Sequence, residues 1–90
     1  MRGLLGRDGL EPGEGLLLRP ASSVHTWFMR FPIDVVFLTR DLVVVGIADG
    51  LEPWRAAGRR GARAVLELPA GECDRLGATV GDALRLQDVR

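Results

Sequence analysis

The sequence predicts an α+β fold that is predominantly β: a small barrel-like sheet, antiparallel or mixed, with one or two short helices. Three observations predict it. The apolar runs are short, about six to eight residues, and rich in β-branched residues. Glycine and proline clusters punctuate the chain at close intervals, and no segment sustains a helical period. Such a sheet has two faces to cover and only weak helices to cover them, so a closed or half-closed barrel is the economical solution.

The elements follow in order. Gly3 to Arg7, then Asp8-Gly9, Pro12-Gly13 and Gly15, read as turns after a short opening turn or helix. Leu16-Leu17-Leu18 is a buried strand, and Pro20 to Ser23 is a turn. Val24 to Met29 suits a strand, with His25, Trp27 and Met29 on one face and Thr26, Phe28 and Arg30 on the other. Phe31-Pro32 interrupts it, because Pro32 lacks an N–H. Ile33 to Leu38, the polar turn Arg40-Asp41 and Leu42 to Ala48 make a β-hairpin. Asp49 to Gly61 holds Pro53, Trp54, Arg55, Arg59 and Arg60, and reads as a long exposed loop. Arg63 to Leu68 is a strand. Glu72 to Leu76 is a short helix ended by Gly77, and Gly81-Asp82 leads into a last strand near Ala83 to Leu86.

The 90 residues make one domain, 1–90, too short for a second core. Twelve basic and twelve acidic residues cancel, so the chain is not a general nucleic-acid binder. No apolar stretch approaches the ~20 residues of a bilayer span, and no signal-peptide pattern opens the chain, so a cytoplasmic protein is expected. The single cysteine, Cys73, excludes an intrachain disulfide and a cysteine-built zinc site. All basic residues are arginine, and lysine, asparagine and tyrosine are absent, so a GC-rich genome is expected, with selection of arginine for bidentate anion binding as the alternative.

Four groups of residues can carry chemistry. In His25-Thr26-Trp27-Phe28-Met29-Arg30 with Asp34, His25 and Met29 offer nitrogen and sulfur to a soft metal, but two ligands fall short of three or four, and no metal is assigned. Asp34 lies inside an apolar strand and needs a partner if buried; Arg30 is the natural one by proximity, and a ligand-facing carboxylate is the alternative. Trp54-Arg55 with Arg59, Arg60 and Arg63 is a solvated loop or an anion and stacking surface. Cys73 near a helix start, and Glu67 inside a strand, read first as structural. No phosphate-binding glycine loop or complete catalytic constellation is present.

These residues also resemble a known family. Arg2-Gly3-Leu4-Leu5-Gly6-Arg7, Gly13-Glu14-Gly15-Leu16-Leu17, Trp27-Phe28-Met29-Arg30 with Pro32 to Leu38, and Val65 to Gly71 with Arg75-Leu76-Gly77 and Gly81-Asp82 are similar, in order, to the motifs of domain of unknown function 192. The resemblance implies a compact β-rich domain, no established activity, and export for many relatives. The chain departs at the centre: the family's Asn-Thr after the basic residue is missing, and His25-Thr26 precede the aromatic pair.

The function expected is a non-catalytic binding or accessory module, without cofactor, for a small ligand or protein partner. Its site is placed at His25, Trp27, Met29, Arg30 and Asp34, with Trp54 and Arg55 as a lid. The alternatives are a small hydrolase or transferase using His25 and Asp34 as acid–base groups, and a structural subunit of a larger assembly.

Overall fold

The computed structural model describes residues 15–27 and 29–84. Its elements run β1 (Leu16–Leu18), β2 (Ser23–His25), β3 (Ile33–Leu38), β4 (Val44–Leu51), β5 (Ala56–Gly58), β6 (Ala64–Pro69) and α1 (Glu72–Leu76). Four strands form one sheet in the order β1-β6-β3-β4, and β2 pairs with β5 in a second. Every pairing is antiparallel. The α+β, mainly β class holds. The larger sheet does not close into a barrel, because β2 and β5 pair with each other instead of bridging its edges.

The central strand β3 explains the layering. All six of its residues are buried, which requires cover on both faces of the sheet. On one face Ile33, Val35, Phe37 and Val65 pack with Val24 and Ala57 of the small sheet and with Met29 and Phe31. On the other, Val36, Leu38, Val44, Leu66 and Leu68 pack with Cys73 of α1 and with Leu84. Each such side chain contributes roughly 1.5–3 kcal/mol on burial.

The hairpin β3–β4 turns at Arg40-Asp41 as expected. The Thr39 hydroxyl accepts the Val43 N–H (3.1 Å), and the Thr39 N–H donates to the Val43 carbonyl (2.9 Å). Strand β4 then runs three residues beyond the expected Ala48, because Leu51 still pairs with Ile33 after a register shift. The expected loop 49–61 therefore contains the end of β4 and all of β5. Ala56-Ala57-Gly58 carries no strand signature of its own; pairing with Ser23–His25 makes it a strand.

The expected strand Val24 to Met29 ends at His25. The Thr26 carbonyl instead accepts the N–H of Met29 (3.2 Å) and of Trp54 (2.9 Å), which turns the chain. Helix α1 stands where the sequence places it and closes at Gly77, whose φ of 71° is the left-handed value a C-terminal glycine supplies. The last expected strand begins as a bridge between Val43 and Ala83. Its remainder, the opening turn or helix and Phe28 lie outside the described residues.

Candidate functional site

Thr26 organises the surface that carries most of the sequence-predicted site. It is fully buried just past the end of β2. Its hydroxyl donates to the Glu52 carbonyl at 2.6 Å and accepts the Arg55 N–H at 3.0 Å. Its own N–H donates to the Arg55 carbonyl at 2.8 Å. These bonds tie the end of β2 to the turn between β4 and β5, so residues 25–27 and 54–55 are held side by side.

The side chains around this tie face outward. Trp27 is 49% exposed and Trp54 is 60% exposed. The His25 and Trp27 rings lie with centroids 4.7 Å apart, tilted by 33°. Trp54 adopts φ 65°, a left-handed backbone that costs about 1–3 kcal/mol for a residue with a side chain. The Arg55 guanidinium lies 3.5 Å from the Trp54 carbonyl. Met29 turns the other way and packs, half-buried, against the core. Arg30 is exposed on the same connection.

Asp34 sits elsewhere, beneath α1. It is 1% exposed. Its Oδ1 accepts the Gly50 N–H at 2.8 Å, and its Oδ2 accepts those of Gly71 and Cys73 at 2.9 and 3.0 Å. The expected Arg30 partner is thus replaced by three amides. The reason is local: Gly50 and Gly71 have φ of 58° and 94°, which aims their N–H groups inward, and Cys73 lies in the first turn of a helix with free amides. None of these bonds goes to His25, which lies in the other sheet, so the structure does not join the two as an acid–base pair.

Asp34, Asp49 and Cys73 each bring one ligand atom within 4.8 Å of the others. Their chemistry is subdued. Burial pushes the Cys73 thiol up to about 12, helped by the negative charges of Asp34 and Asp49. It is a protonated thiol at neutral pH, neither nucleophile nor thiolate ligand.

Glu67 also lies on the large sheet, but not beside Asp34. Glu67 opposes Val35, whereas Asp34 opposes Leu68, and those two partners belong to opposite core faces. The two carboxylates therefore cannot flank one substrate. Burial raises the Glu67 carboxyl above its ordinary value. The α1 face also holds an apolar cleft of about 330 Å³ lined by Val36, Leu66, Leu68, Leu76, Ala78 and Leu84, among others.

The structure thus brings together His25, Trp27, Trp54 and Arg55, and sets Asp34 apart. Sequence reasoning missed Thr26, Gly50 and Gly71. The glycines following Asp49 and Ala70 were available signals, whereas nothing in the pattern marked Thr26.

A family model described as uncharacterized ACR, domain of unknown function 192, matches residues 1–86. A UPF0127 protein of Pyrococcus furiosus is 42% identical over 64 residues, 70% of this chain and 54% of that protein. Another, from Thermococcus sibiricus, is 38% identical over 64 residues, 70% of this chain and 41% of that one. The chain spans about half the length of these curated relatives, or less. Two solved structures share the fold. One, a protein of unknown function from Novosphingobium aromaticivorans, has a TM-score of 0.80 and 30% identity, covering 90% of this chain and 63% of that one. The other, from Sinorhizobium meliloti and provisionally described as a transcription regulator, has a TM-score of 0.83 and 28% identity, covering 92% and 70%.

Proposed function

The chain belongs to the family of uncharacterized ACR proteins, domain of unknown function 192, and on that premise we propose that it is a non-catalytic recognition module that docks a protein partner through Trp27 and Trp54. One observation carries the reading. Thr26 fixes the backbones of both tryptophans side by side, yet both indoles remain about half or more in solvent. A tryptophan normally goes inside, and an exposed pair on a rigid tie is the composition of an interface anchor.

The surface beside the indoles is of mixed charge: exposed Arg55 and Glu52 flank Trp54 on the same turn, whereas Arg59, Arg60 and Arg63 lie past the opposite end of β5. Arginine and tryptophan are the side chains most enriched at the energetic centres of interfaces. The strained backbone of Trp54 supports the same reading, since such strain persists where a side chain must be presented in one direction. His25 serves as a support stacked on Trp27, and Arg30 and Arg55 supply charge at the rim.

The test is to capture partners from a lysate of the source organism on the wild-type chain and on a Trp27→Ala/Trp54→Ala double variant. A captured protein is then titrated into labelled wild-type chain. The expected outcome is one protein lost in the double variant, with amide shift changes centred on residues 24–31 and 52–57. Equal capture by both chains, or shift changes centred on the α1 face, overturns the reading. Nucleic acid as the captured species transfers the same surface to base stacking.

A further inference from the structure

On the face opposite α1, the Glu67 carboxyl has no hydrogen-bond or ion-pair partner among the described residues, although Glu67 is only 6% exposed. Its cross-strand neighbours are Leu16 on β1 and Val35 on β3, both apolar. Ala48 follows Val35 in the same row, so Glu67 is the single titratable group in that row among the described residues. No sealed side-chain oxygen or nitrogen among the described residues lacks a partner. The Glu67 oxygens have none. The carboxyl therefore keeps some contact with the outside while flanked on neighbouring strands by the apolar Leu16 and Val35.

Such a group leaves its hydrogen-bonding capacity unused in the isolated chain, and whatever completes it must bring donors. An anion is repelled. A metal ion needs three or more protein ligands, or one with a mostly intact water shell, and apolar neighbours offer such a shell no partners. A cationic nitrogen group fits: one carboxylate satisfies an ammonium or takes the two-pronged contact of a guanidinium. An alkyl stem behind that charge matches the apolar neighbours, as the stems of long cationic side chains do.

We propose that Glu67 anchors a second binding site, which takes an ammonium or guanidinium group carried on an apolar stem. The group comes from a lysine or arginine side chain of a partner or from a small alkylamine. The site is independent of the indole surface and stands or falls without it.

The experiment follows the ¹³C resonance of the side-chain carbonyl carbon at position 67 in the full chain, a carboxyl carbon in the wild type and an amide carbon in Glu67→Gln. The probes are butylammonium, butylguanidinium, blocked tripeptides with a central lysine or arginine, and neutral butanol. Ionic strength is held constant throughout. The expected result is a saturable displacement by the cationic probes but not by butanol, weakened about tenfold or more in Glu67→Gln, the scale of one lost charge-assisted bond. Tighter binding of the tripeptides identifies a partner's side chain as the source, and tighter binding of the free amines a small molecule. A non-saturable drift, or equal affinity in Glu67→Gln, overturns the proposal. Should that variant fail to fold, the wild-type resonance decides: no displacement by any cationic probe overturns it.

Discussion

The Asp34 Oδ2 accepts the N–H of Gly71 at 2.9 Å, which joins the central strand β3 to the residue that opens α1. Helix α1 has no side-chain cap of its own. Asp34 performs that role from 37 residues away in sequence, accepting the Cys73 amide as well. The contact with Gly50 adds the end of β4 to the same carboxylate.

Asp34→Ala is therefore expected to be among the most damaging single substitutions. It strands three inward-facing amides in a buried site, at a cost of about 3 kcal/mol or more. A domain of this size has only about 5–13 kcal/mol in total. Urea unfolding measures the loss. A change below about 1 kcal/mol sinks the capping role.

Cys73 is expected to be chemically quiet. With its thiol held at about 12, a disulfide reagent at pH 8 reacts with the folded chain only as fast as the chain opens. The linkage has a definite sign. The folded value lies above the ordinary 9.0, so the contribution is intact below about pH 9. It declines as pH rises toward 12, by up to about 1.4 kcal/mol per pH unit for one proton. Cys73→Ala removes that decline. Rapid labelling of folded protein contradicts the assignment.

Glu67 has the same sign at the acid end. Burial raises its folded value above 4.5, so its contribution to stability is complete below pH 4.5 and is lost as pH rises through the raised value. Glu67→Gln is expected to match or exceed the wild type at pH 7, by about 1–2 kcal/mol from the relieved desolvation. Urea midpoints of the two chains across pH 4 to 8 measure it. A glutamine variant that is less stable at pH 7 and more stable at pH 4 reverses the sign and rejects the account.

Trp54→Gly separates fold from recognition. Glycine accepts φ 65° without strain, so the fold keeps its stability or gains up to about 1 kcal/mol. Partner binding should fall at least tenfold, as for loss of an anchoring indole. Thr26→Val should lower both together, because it breaks the tie to Glu52 and Arg55. Retained binding in Trp54→Gly removes Trp54 from the interface.

The sequence carried the large sheet well, for a physical reason. Apart from Asp34 and Glu67, Ile33 to Leu38 and Ala64 to Pro69 are apolar on both faces, and only a strand covered on both sides buries them. Helix α1 was legible because Gly77 ends it. The small sheet was not, because Ala56-Ala57-Gly58 becomes a strand through its partner and not through propensity. The indole surface was half legible. Trp27, Trp54 and Arg55 stand out by type, but the hydrogen bonds that gather them run through Thr26, whose side chain announces nothing by pattern. Asp34 misled, since nearness in sequence suggested Arg30, whereas its ligands are backbone amides set by two left-handed glycines.

The placement of the tryptophans also decides what light reports about this molecule. The chain has two tryptophans and no tyrosine, and both indoles sit at the rim of the small sheet, in water. Emission from the folded chain should already be red and open to quenching by iodide or acrylamide. Denaturation will then shift the spectrum little, while docking of a partner over the rim will turn it blue and shield it. The usual optical signal of folding is here a signal of contact.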